Sequence, residues 1–227
     1  MLADRLLQHV LSFSLADVKL PKGVGVLDPF NGLNAAEVRR IVTAFHRKYY
    51  SDEEPRTLML GINPGRLGAG STGLSFTDTK RCESDLGIPV NGLRTHEPSS
   101  DFFYRMVRAA GGADAFYRRV YVHAICPLGF VKSGVNLNYY DDKMLEKAVT
   151  PFVENWLRTL VQCGMRADSV LIIGTGKNAA YFCKLNERLR LFRRIIALEH
   201  PRYVMQYKAR SLDLYIDKYL AALEACA

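Results

Sequence analysis

No stretch of this 227-residue chain is apolar for long enough to cross a membrane, because charged residues break every candidate run. Cysteines in CxxC spacing are also absent. The five that occur, Cys82, Cys126, Cys163, Cys183 and Cys226, are odd in number and scattered. That pattern argues against a disulfide framework and offers no clustered ligand set for zinc or an iron–sulfur centre, so no metal and no cofactor are expected. Internal repeats and low-complexity tracts are missing too. The first residues, MLADRLLQHVLSF, carry Asp4 and Arg5 on an amphipathic pattern. They read as a helix rather than a signal peptide. The expectation is an intracellular protein, in the cytoplasm or nucleoid of a bacterium or the nucleus of a eukaryote.

What the chain does have is a hydrophobic content of 48%, ample for one sizeable core, and a length that suits one domain over residues 1–227. Its net charge is +8. A basic surface suits a polyanion, although charge alone fits any basic soluble protein equally well. The segment PRYVMQYKAR, Pro201 to Arg210, adds specificity by interleaving Arg202, Lys208 and Arg210 with Tyr203 and Tyr207 in a loop-like stretch. Phosphate pairing and base stacking use that mixture.

Four short aliphatic runs read as buried parallel strands: Thr57–Ile62, Val120–Ile125, Ser169–Gly174 and Arg194–Glu199. Helical patterns separate them. Asn34 with Glu37 suggests a capping box for a helix through Tyr49, and Ser99 or Ser100 a cap for the next. Asp141 to Cys163 reads as helical with an interruption near Pro151. The expected fold class is α/β: a three-layer α/β/α sandwich with a central four-stranded parallel sheet. Right-handed crossovers then put the carboxyl ends of all four strands at one edge, where such folds bind ligands. Asn63, the loop Cys126 to Asn138, Gly174 to Lys177 and His200 should converge there.

Each has an ordinary reading. Asn63-Pro64-Gly65 suits a β-turn, or it leaves a side-chain amide aimed at a water. His200 is either capped by backbone or free to donate to a developing anion. Asn136 suits a turn, or it reads a pyrimidine edge through one donor and one acceptor. Phe76 follows a run of glycine and serine and is either core or a wall on which a base stacks. His123, inside the second strand, reads as packed. The run Gly174-Thr175-Gly176-Lys177-Asn178-Ala179, with Glu199 ending the next strand, matches a dinucleotide fingerprint, although that motif normally opens the first βα unit. Without a cofactor, the same helix start and Lys177 hold a DNA phosphate.

Together these segments resemble the uracil-DNA glycosylase superfamily, in its single-strand-selective monofunctional branch. The chain reads GINPG at Gly61–Gly65, against a GMNPG-type first motif. It keeps the thirteen-residue step from Asn63 to Phe76, and it carries VHAICPLGFVKSGVNL at Val122–Leu137 and His200-Pro201 in order. The resemblance runs from Leu58 to Lys208 and favours the cofactor-free reading of Gly174–Ala179. It implies a monomeric enzyme that flips uracil from single- or double-stranded DNA and hydrolyses its N-glycosidic bond, leaving an abasic site. Asn63 would position water, His200 would face the uracil O2, Asn136 the N3 and O4 edge, and Phe76 would stack. Ile62 and Gly65 would line the base, with backbone amides near Ile62 and Asn63 as further donors. With no carboxylate in the first motif, strong base catalysis looks unavailable. With no lysine placed for a Schiff base, strand cleavage is not expected. The small Gly65 suggests that 5-substituted uracils such as 5-hydroxymethyluracil are accepted, and more weakly xanthine. Where the family continues HPSPR, this chain has HPRYVMQYK. The duplex wedge therefore stays open among Tyr203, Met205 and Tyr207, with Arg202, Lys208 and Arg210 beside them for phosphates.

Overall fold

The computed structural model describes residues 1–12 and 18–226. In chain order the elements are α1 (Leu2–Ser12), β1 (Val24–Leu27), α2 (Ala35–Tyr49), β2 (Arg56–Gly61), α3 (Ala69–Thr72), α4 (Thr79–Ser84), α5 (Pro98–Ala109) and α6 (Ala113–Arg119). There follow β3 (Val120–Ala124), β4 (Gly129–Lys132), β5 (Val135–Leu137), α7 (Lys143–Gly164), β6 (Met165–Ile173), α8 (Lys177–Leu189), β7 (Arg194–Leu198), α9 (Pro201–Tyr207) and α10 (Leu212–Glu224). Of the expected N-terminal helix, Phe13 lies outside the described residues.

The four aliphatic runs form one parallel sheet in the order β3-β2-β6-β7, flanked by helices, as the three-layer class requires. The register aligns Gly61 with Ala124, Leu60 with Ile172 and Ile173 with Leu198. The strands therefore end level, and the residues that follow them meet at one edge. Every residue of β2 is buried, which is why its sequence is continuously apolar after Arg56 and Thr57 rather than alternating.

Local details depart from the sequence expectations. Asn34 makes no side-chain cap. Glu37 is instead held by Arg40 at 2.8 and 2.6 Å and by the Asn91 N–H at 2.7 Å, so the capping box never closes. Helix α5 starts at Pro98, whose fixed φ suits a first helical turn. Ser99 and Ser100 lie inside the helix, and Ser100 Oγ donates to Asp78 at 2.9 Å rather than capping. Helix α7 runs unbroken past Pro151 because that residue is exposed, while Val149, Val153, Trp156 and Leu160 hold the opposite face in the core. Pro201–Tyr207 is a helix, not a loop, because proline opens it and Val204 is fully buried.

The expected loop after the second strand contains a hairpin. β4 and β5 pair antiparallel across Ser133-Gly134, both at positive φ (51° and 75°), and β1 pairs with β4 to make a separate three-stranded sheet. A two-residue turn with both φ values positive matches the right-handed strand twist. Asn136 therefore sits on a strand.

Three histidines are neutral by burial. His46 is pushed down to about 4, His123 to about 3 and His200 to about 4. A depressed imidazole takes its proton in the unfolded chain first, so stability present above pH 6.5 is lost as pH falls to about 3. A thermal melt series should show Tm falling across that window, by the equivalent of roughly a few kcal/mol. A flat Tm would contradict the buried, neutral assignment.

Candidate active site

Asn63 leaves β2 with its amide orientation set by backbone. Nδ2 donates to the Leu137 carbonyl at 3.3 Å, and Oδ1 accepts from the Tyr139 N–H at 3.2 Å. A flipped amide would set donor against donor, so Oδ1 keeps its second lone pair for an incoming group. Behind it, the Tyr139 hydroxyl donates to Asn178 Oδ1 at 2.8 Å, and Asn178 Nδ2 donates to the Ile173 carbonyl at 3.0 Å. The GTGKNA segment thus contributes a buried strut to the site.

His200 follows β7 and caps α9. Its Nδ1 accepts the Arg202 N–H at 3.1 Å, which leaves the ring proton on Nε2 as a donor. Burial, with Arg202 adding, pushes this imidazole down to about 4, so near neutral pH it is an uncharged hydrogen-bond donor. The backbone-cap reading therefore holds on Nδ1, and Nε2–H is the ring's remaining donor.

Phe76 is buried, as either reading of it, core or wall, requires. One face stacks on Phe103 (centroids 5.1 Å apart, 19°), and the ring lies 5.6 Å from that of His200. Its backbone is left-handed at φ 55°, a conformation that costs a non-glycine residue about 1–2 kcal/mol. The Phe103 stack and the site it lines hold it there.

Asn63, His200, Phe76, Ile62 and Gly65 all line one narrow hole of about 40 Å³. It shares six lining residues, among them Asn63, Gly65 and His200, with an adjoining cleft of about 370 Å³. Asn136 lines the cleft rather than the hole. Its Oδ1 accepts from Arg66 Nε at 3.2 Å, and its Nδ2 would stand 3.4 Å from a Cβ at Gly65. The Arg66 backbone N–H reaches the same oxygen at 3.4 Å, so both lone pairs are taken and one of these bonds must be released before Asn136 Oδ1 can accept from a base.

Arg202, Tyr203, Tyr207, Lys208 and Arg210 are exposed on α9 and the turn after it; Arg202 lines the cleft, and Tyr203 packs on Tyr207 (5.4 Å between ring centroids). Met205 is half-buried against the core, so it is not presented as a wedge. Lys177 is exposed, 3.8 Å from Asp141, and borders a third cavity of about 230 Å³ with Gly174, Gly176 and Glu199. Glu199, the acid of the dinucleotide fingerprint, is held by Lys218 at 2.7 and 2.9 Å. A ribose would have to displace that cation. The thiols of Cys82 and Cys126 are pushed up to about 12 by burial and stay protonated near neutral pH.

Sequence reasoning missed Arg66, Tyr139, Asn178 and above all Glu97, whose carboxyl lines both the hole and the cleft. It lies outside the first motif, in a loop with no periodicity, and only the chain's return past Gly68 brings it in. The absence of a carboxylate from the motif therefore did not mean absence from the site.

Fold and site together define an open-sheet α/β protein with a ligand hole at the carboxyl edge of the sheet. The profile of the uracil DNA glycosylase superfamily matches residues 47–224, and the chain belongs to that superfamily. Within it the similarity is to the single-strand-selective branch. The single-strand selective monofunctional uracil-DNA glycosylase of Rattus norvegicus is 29% identical over 192 residues, 74% of this chain and 65% of the relative. The corresponding Mus musculus protein is 30% identical over 148 residues, 56% of this chain and 50% of the relative. The chain thus spans 65% or less of the length of these two curated relatives. The crystal structure of wild-type SMUG2 from Pedobacter heparinus superposes with a TM-score of 0.94 at 44% identity, over 99% of this chain and 97% of that one.

Proposed function

We propose that the protein is a monofunctional DNA glycosylase: it flips uracil out of DNA and hydrolyses the N-glycosidic bond, leaving an abasic site for base excision repair. The observation that carries this reading is the single hole bordered by an oriented amide, a neutral imidazole donor and a phenyl face, in a chain of this superfamily. As the C1′–N1 bond breaks, its electron pair leaves with the uracil, and negative charge collects on that ring. His200 Nε2–H donates to the developing charge on O2, a preorganised term that grows in the transition state. Asn63 Oδ1 orients the water that attacks C1′. Phe76, fixed from behind by Phe103, receives the flat face of the base. Ile62 and Gly65 close the sides, and Asn136, once freed from Arg66, reads N3 and O4.

Lys177, Arg202, Lys208 and Arg210 meet the phosphates, while Tyr203 or Tyr207 fills the gap left by the flipped base. The protein acts as a monomer and forms no Schiff base, so release of the base leaves the strand uncut. Gly65 opens the edge beside it, where a Cβ would meet only Asn136 Nδ2 at 3.4 Å, and this supports acceptance of 5-substituted uracils.

An end-labelled oligonucleotide with one uracil, incubated with the protein and then treated with alkali, should be cut at that position in single- or double-stranded form. Without alkali it should stay whole. Asn63→Ala should slow release at least tenfold, equivalent to about 1.4 kcal/mol. No alkali-labile site with the wild-type protein on either form would remove the activity.

A further inference from the structure

The carboxyl of Glu97 has no part in the chemistry above. Glu97 occupies the cap position before α5 but makes no side-chain capping bond, and the residue lines both the hole and the cleft. Its Oε2 is buried and has no hydrogen-bond partner among the described residues. Gly68 admits it, since a Cβ at that position would stand 2.0 Å from Oε2. The buried carboxylate of Asp78 pins the backbone behind it, accepting the Glu97 N–H at 3.0 Å, Ser100 Oγ at 2.9 Å and the Arg81 N–H at 3.0 Å. A loop so firmly held, with an unpaired acceptor on a residue that lines a ligand hole, calls for a partner that arrives with the substrate.

We propose that Glu97 is the proton acceptor for the attacking water, holding it together with Asn63. This rests on the glycosylase reading. As the C1′–N1 electron pair departs with the uracil, the water oxygen bonds to C1′ and one water proton passes to the Glu97 carboxylate. An amide can orient that water but cannot take its proton; a carboxylate does both.

Burial pushes this carboxyl up to about 7, and the charge of Asp78 adds to it against the pull of Arg202. The other ionisable groups around it are His200 in the same hole, Arg66 across the cleft, His96 beside Asp78 and the Arg81–Asp101 pair between α4 and α5. Only the ionised carboxylate accepts a proton, so activity should rise with pH through about 7 and level above 8.

The test is the single-turnover rate of uracil release from pH 5 to 9 for the wild type, Glu97→Gln and Glu97→Asp. Alongside it run thermal melts and binding to an oligonucleotide carrying uncleavable 2′-fluoro-deoxyuridine. The glutamine variant should be about a hundredfold slower at pH 8, lose the limb near 7 and converge on the wild type toward pH 5. It should still bind the uncleavable strand. Its Tm at pH 8 should match or exceed that of the wild type, because a carboxyl with a raised pKa penalises the fold where it must ionise in place. The aspartate variant should restore part of the rate with a displaced limb. A glutamine variant that keeps the wild-type limb and rate overturns the proposal. So does one whose rate, binding and Tm fall in parallel, which marks a structural role. A wild type that releases no uracil overturns the glycosylase reading itself, and this proposal with it.

Discussion

Replacing His200 by alanine should slow single-turnover uracil release at pH 7.5 by about a hundredfold, or about 2.7 kcal/mol of transition-state stabilisation. The magnitude follows from the role. His200 does not need to carry charge, because burial has already pushed its proton affinity down to about 4 and the Arg202 N–H occupies Nδ1. What remains is one aimed Nε2–H in a partly dry hole, and removal of one such donor from other enzymes costs a hundredfold to a thousandfold. The loss should appear in the chemical step and not in binding of a strand with an uncleavable uracil nucleotide, since the charge it meets exists only as the bond breaks. No limb near pH 6.5 should be traceable to this residue. An alanine variant with the wild-type rate would dissolve the assignment of His200, whatever the substrate proves to be.

Gly129→Ala should damage the protein from a distance, destabilising it by about 3 kcal/mol. A Cβ at Gly129 would stand 2.3 Å from the Pro64 carbonyl oxygen and 3.0 Å from Leu27 Cβ. The first obstacle is backbone of the turn that carries Asn63, and the second belongs to the neighbouring strand β1. Neither can turn aside as a flexible side-chain tip would. The turn must shift, and a displacement near 1 Å at a water-positioning group is worth about a hundredfold in rate. Urea unfolding should show a lower midpoint, and single-turnover assays below that midpoint should show the rate loss. Equal midpoints and rates for the Gly129 variant and the wild type would show that the two backbones are not in fixed contact.

Much of the architecture was legible before any coordinates. Runs such as Leu58–Leu60 and Val170–Ile173 can only be buried strands, because an aliphatic stretch so short and so free of polar residues has no stable exposed form. Strand ends then converge by the handedness of the crossovers. The small sheet was not legible. β5 is mostly exposed and β1 only half-buried, so neither shows a hydrophobic signature, although Ser133-Gly134 between two short runs was a hairpin signal open to reading. Caps were overread at Asn34 and at Ser99 or Ser100: Glu37 pairs with Arg40 one turn along its own helix and with the distant Asn91 N–H, and Ser100 donates to Asp78.

By itself the sequence determined the parallel sheet, the edge at which a ligand is met, and Asn63 and His200 as neighbours there, since each follows from strand periodicity and crossover handedness, while Phe76 was placed beside them by the family resemblance. Tertiary structure alone decided which nitrogen of His200 is free, which way the Asn63 amide faces, and that Glu97 enters the hole. Two of those outcomes depend on contacts between segments far apart in the chain, with backbone groups of Tyr139 and Leu137, with Gly68 and with Asp78, while the His200 nitrogen is set by the Arg202 N–H at the start of a helix that the sequence read as a loop. Local patterning cannot encode a distance between residues that only the completed fold brings within hydrogen-bonding range.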